Sequence, residues 1–68
     1  MKVILRNNLN NLYVLDGRQW TNDPHKAHDF GRADHALEAA RLSGIKEMEL
    51  LISLNGVHFD ISRPVMPA

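Results

Sequence analysis

His25 and His28, with Asp29, Asp34 and His35, form the densest set of possible metal ligands in the chain. On one helical turn, positions three apart share a face, so His25 and His28 could reach one ion. Imidazole suits zinc, copper or nickel, and a carboxylate can complete the shell. No His-Glu-x-x-His motif is present, and His35 and His58 join only if the fold brings them near. Solvated side chains on a surface segment are the simpler reading. A second set is Trp20 with Tyr13 and Arg18, which could stack a base or a small ring. The simpler alternative makes Trp20, the only tryptophan, a core plug. A third set is Ser53, His58 and Asp60, where a hydroxyl, an imidazole and a carboxylate could meet on one sheet face. An open sheet gives such a pair no oxyanion hole and no exclusion of water. Gly17, Gly31, Gly44 and Gly56 are scattered and make no phosphate-binding loop. No catalytic constellation emerges, so neither an enzyme nor a bound cofactor is expected.

The chain that must position these residues is short. Its 68 residues allow one domain and one core. A domain of this size buries roughly 60% of the surface its unfolded chain exposes. There is no cysteine, which excludes a disulfide, a thiolate zinc site and a cysteine nucleophile. Eight basic residues balance eight acidic ones and are interspersed with them. A dedicated nucleic-acid binder carries a basic excess, so that class loses weight. Zero net charge also weakens mutual repulsion and eases self-association. The apolar runs Val3-Ile4-Leu5 and Leu50-Leu51-Ile52 are far too short for a secretory apolar region or a membrane span. A cytoplasmic domain with no membrane association is the expectation.

The most regular patterning lies near the end of the chain. Met48, Leu50, Ile52 and Leu54 alternate with Glu47, Glu49, Leu51 and Ser53; after Asn55-Gly56, Val57, Phe59 and Ile61 alternate with His58, Asp60 and Ser62. Period two on both sides of Asn-Gly predicts a hairpin with a two-residue type I′ turn. That turn pairs Leu54 with Val57, Ile52 with Phe59 and Leu50 with Ile61 on one apolar face. Ser53 with His58, Leu51 with Asp60 and Glu49 with Ser62 then fall on a wet face. A first hairpin is predicted from residues 2–6 and 12–15, joined by the asparagine-rich stretch 7–11, with a further turn at Asp16-Gly17. Ala33, Ala36, Leu37 and Ala40 make a narrow helical stripe, with Gly44 as the C-terminal cap. Asp23-Pro24 starts a short turn over 24–28, followed by an extended piece at Phe30.

The predicted fold is α+β, a two-layer sandwich. One main helix covers one face of a mostly antiparallel four-stranded sheet in the order β-β-α-β-β. Residues 1–63 form the domain, and 64–68, with Pro64 and Pro67, form a flexible tail.

Leu12-Tyr13, Gly17, Trp20-Thr21-Asn22-Asp23, Ala27, Phe30, Ala36 and Glu49-Leu50 together carry a resemblance. The chain resembles small uncharacterised bacterial proteins with an aromatic strand, a Trp-Thr pair, Ala and Phe three apart, an alanine-bearing helix and an acidic-apolar strand. The likeness implies a stand-alone bacterial domain. It implies no activity and carries over no catalytic residue.

Two functions are then in view. One is a protein-interaction module that associates with itself as a homodimer, or with another protein, through strand edges or through Leu51 and Leu42. The alternative is a nucleic-acid or small-ligand binder using Tyr13, Trp20 and Arg18. A flat apolar patch on the outer sheet face favours the first, and an open concave pocket beside Trp20 favours the second.

Overall fold

The computed structural model describes residues 1–16 and 19–65. It is an α+β fold with one helix and a five-stranded antiparallel sheet. The elements are β1 (Lys2–Asn7), β2 (Leu12–Asp16), β3 (Gln19–Thr21), α1 (Ala33–Ser43), β4 (Met48–Ser53) and β5 (Ile61–Pro64). Across the sheet they run β3-β2-β1-β4-β5. The sequence pattern gave four strands. The fifth is β3, which pairs Val14 with Trp20 and Tyr13 with Thr21. Three residues are too few for an alternation to be read without the partner strand.

β1 sits at the centre because both of its faces are apolar or covered. Val3, Ile4 and Leu5 are all buried, and an unbroken apolar run of this kind marks a strand covered on both sides. It pairs with β4 along its whole length, from Lys2–Ser53 to Asn7–Met48. The β1–β2 loop draws on its asparagines. Leu9 N–H donates to Asn7 Oδ1 (2.9 Å), Leu12 N–H donates to Asn10 Oδ1 (3.1 Å), and Asn11 adopts the left-handed backbone at φ 59°.

Helix α1 lies over β1 and β4. Ala36 and Ala40 are fully buried there among Val3, Leu5, Met48 and Leu50. Alanines leave the helix axis close to the sheet. Gly44 closes the helix in the left-handed conformation, φ 75°, and its N–H donates to Arg41 O. Leu37, expected in the buried stripe, is 40% exposed, and Leu42 is 79% exposed. The stripe is turned toward Ala33 and Ala39, which pack on the core in place of Leu37.

The other sheet face is not wet. Ile4 and Leu51 pack there with Ala27, Tyr13 and Phe59, so Ala27 and Phe59, from the segments before α1 and after β4, cover what the helix does not. Leu51, expected on the solvated side, is only 6% exposed. The hairpin explains this. β4 and β5 pair Ile52 with Ile61, Leu51 with Ser62 and Leu50 with Arg63. The register is two residues away from the one a two-residue turn imposes, so Ile52 meets Ile61 in place of Phe59, and Phe59 is released into the loop. Asn55 makes a wider loop by accepting at Oδ1 from Val57 N–H (2.8 Å), His58 N–H (3.0 Å) and the Ser53 hydroxyl (3.1 Å). Gly56 follows at φ 78°. The wider loop lets Phe59 cross to the second face and leaves Leu54 and Val57 exposed. The Ser53–His58 pairing is therefore absent. Ser53 is fully buried with its hydroxyl on Asn55, while His58 and Asp60 are exposed.

The end of the chain is held further than expected. Pro64 pairs with Glu49, and Val65 N–H donates to Met48 O (3.1 Å). The expected turn at Asp16-Gly17 and the last three residues of the expected tail lie outside the described residues, apart from Asp16 itself.

Candidate functional site

β1 and β2 form a fork. They pair only at the loop end, Arg6 with Tyr13 and Asn7 with Leu12. Below that point residues 28–30 enter between them. His28 N–H donates to Val14 O (2.8 Å) on one side, and Phe30 N–H donates to Val3 O (2.8 Å) on the other. Val3 N–H has no strand partner there. It donates instead to Asp29 Oδ1 (3.0 Å), which also accepts from Gly31 N–H (2.8 Å). A carboxylate thus stands in for the missing strand carbonyl. The Asp29 carboxyl lies below the ordinary aspartate value. The Val3 hydrogen bond is the largest cause; partial desolvation opposes it, and Gly31 N–H, Lys2 and the amino terminus add to the lowering.

This wedge carries two rings to the helix side of the sheet. His28 meets Phe30 edge to face, with centroids 4.6 Å apart and planes at 85°. Together with Trp20 they flank a cleft of about 200 Å³. Leu5, Val14 and Met48 form its base, Ala39 and Ser43 of α1 close one side, and Asp16 and Gln19 sit at its rim. The cleft exists because α1 covers the β1–β4 half of the sheet and leaves β2 and β3 beside it. Ser43 adds little polarity, since its hydroxyl donates to Ala40 O (2.6 Å) and accepts from Ile45 N–H (3.2 Å). Among the described residues no buried side-chain polar atom lacks a partner. The lining is mostly apolar and aromatic, with Asp16, Gln19, His28 and Ser43 as its polar members.

The expected platform of Tyr13, Trp20 and Arg18 is not assembled as such. Adjacent strand residues point to opposite faces. Trp20 shares a face with its partner Val14 and packs on the helix-side core, while Tyr13 packs against the Ile4–Ala27–Leu51 cluster. Arg18 lies outside the described residues. The rings that flank the cleft with Trp20 are Phe30 and His28, and no spacing or motif in the sequence groups them with it. Phe30 comes ten positions after Trp20, and the wedge between β1 and β2 is a tertiary feature.

The pair His25 and His28 does not share a helical turn. The turn is brief: Lys26 N–H donates to Asp23 O, and Asp23 Oδ1 accepts from His25 N–H (2.9 Å). By His28 the chain has left the turn. Asp29 is engaged with Val3 and Gly31, and Asp34 pairs with Arg32 at 3.1 Å. Among the described residues no three of His, Cys, Asp and Glu gather into a metal-holding group. Among the described residues no helix is long and apolar enough to cross a membrane.

Compared with protein families, curated proteins and solved structures, the chain finds no match. Its functional reading rests on the geometry of the cleft.

Proposed function

We propose that this chain is a small-ligand-binding domain, and that its site is the cleft beside Trp20. The observation that carries this reading is the cleft itself, concave, lined by three aromatic side chains and rimmed by Asp16 and Gln19. Size selects the ligand. A cavity of about 150 Å³ accepts benzene, whereas drug-sized molecules occupy about 300–1,000 Å³. At about 200 Å³ the cleft suits one aromatic ring with a small polar substituent directed to the rim. A dinucleotide or a polymer strand is too large to be enclosed by it. The self-associating module has less support from the sheet faces, because Ala27 and Phe59 of the same chain already cover Leu51.

The test is a titration of the protein with phenol, indole, aniline and benzoate, followed by Trp20 fluorescence and by NMR shifts of the Trp20 and Phe30 rings. At least one ring is expected to bind with a Kd of about 0.1–1 mM, a range suited to so few ligand atoms. Trp20→Ala removes that binding while the NMR signals of Ile4 and Leu51 stay in place. Four flat titrations up to the solubility limit overturn the proposal.

A further inference from the structure

Resting on that reading, we propose that Asp29 is the positioning residue of the cleft: its carboxylate latches the wedge to β1, and releasing the latch widens the cleft and spoils its ring-sized fit. Three observations on the wedge support this. Residues 28–30 belong to no strand, yet they touch both arms of the fork through His28 and Phe30 backbone bonds. The same residues supply two of the three aromatic side chains at the cleft. Between those two rings sits the one side chain that ties the wedge to the otherwise unmet Val3 N–H, and the same oxygen accepts from Gly31 N–H.

The latch is charged, so it has a handle. Lys2 on β1 and the amino terminus just before it favour the ionised form of Asp29. Lys2 is itself steadied by donating to His25 O (3.2 Å), at the start of the same segment. Because folding lowers the Asp29 pKa, the charged latch is fully set above the ordinary aspartate range, and its charge-assisted strength is lost as pH falls through the lowered value, which leaves a neutral acceptor oxygen in place. The contribution of Asp29 is the difference between the wild type and Asp29→Asn. Asparagine keeps an acceptor oxygen for Val3 and Gly31 but does not titrate.

The first measurement needs no ligand. Carboxyl shifts, backbone amide shifts and ring shifts are followed by NMR as pH is lowered. The Val3 and Gly31 amides, the Phe30 ring and the Trp20 ring should share the midpoint of the Asp29 carboxyl, while Ile4 methyls on the other face hold still. In Asp29→Asn the ring movement at that midpoint should vanish. Rings that ignore the Asp29 midpoint overturn the latch, whatever the ligand titrations give. The second measurement is affinity for the best ring probe. Asp29→Ala should weaken it about tenfold at neutral pH, in keeping with the loss of hydrogen bonds to a charged acceptor. Asp29→Asn should stay within about threefold of wild type on the same grounds. If every probe fails on the wild type, the ligand reading falls and the NMR titration still decides the latch. If probes bind and Asp29→Ala binds them as well as wild type, the latch falls and the ligand reading stands.

Discussion

Between β1 and β4 the residue pairs run unbroken from Lys2–Ser53 to Asn7–Met48, and Val3, Ile4, Leu5, Met48, Leu50 and Leu51 are all buried. Between β2 and β3 the register shifts after Val14, and none of the strand residues is fully buried. One helix accounts for much of the contrast, because it can cover only about two strands and lies over β1 and β4. The other half of that face is left partly open, with Trp20 and Phe30 beside the opening. A domain this small lacks the apolar side chains to seal everything. It concentrates them in one half, and that half holds steady while the other stays accessible.

The comparison breaks most easily in the tight half. Leu50→Ala should cost about 2–5 kcal/mol, the range for a large-to-small change in a packed core, and should leave the chain largely unfolded in urea melts at mild denaturant. Trp20→Ala removes a bigger side chain from the open half yet should cost less than Leu50→Ala; equal losses would erase the distinction between the halves. Enlarging the helix contact sharpens the contrast. Ala36 is fully buried against the sheet, so Ala36→Leu should cost about 1–3 kcal/mol through overpacking. Leu37→Ala, one residue along and facing outward, should stay within about 0.5 kcal/mol. An effect of similarly small size belongs to the cross-strand pair of Arg6 and Glu49, 2.7 Å apart and partly exposed. A double-mutant cycle there should give about 0.2–1 kcal/mol, falling as salt rises.

The parts that could be read from sequence are those where local chemistry and tertiary packing agree. Gly44 at the helix end, the asparagine loop after Asn7 and the alanine contact of Ala36 and Ala40 each follow from a short-range rule. The second hairpin shows where such rules fail. Asn55-Gly56 is a strong two-residue turn signal, but Ser53, Val57 and His58 all compete for the Asn55 side chain, and Phe59 gains burial by crossing the sheet. That outcome was written faintly in Leu50-Leu51-Ile52. Three apolar residues in succession point to both faces, and a wet face has no use for Leu51. The cleft was legible only as Trp20. Its other rings arrive through the wedge, whose existence depends on β1 and β2 parting, and no local signal in residues 28–30 announces that.

The central strand finds its long partner almost at the far end of the chain. β1 precedes β4, with every other element except β5 between them. Until Met48–Ser53 has been synthesised, Val3, Ile4 and Leu5 lack the strand that pairs with β1 along its whole length. The loop that must close to bring them together spans most of the molecule, and such closures slow the search for the native state. A ribosome-bound fragment lacking the last third should accordingly stay protease-sensitive, and the domain should snap into place only as its final segment emerges.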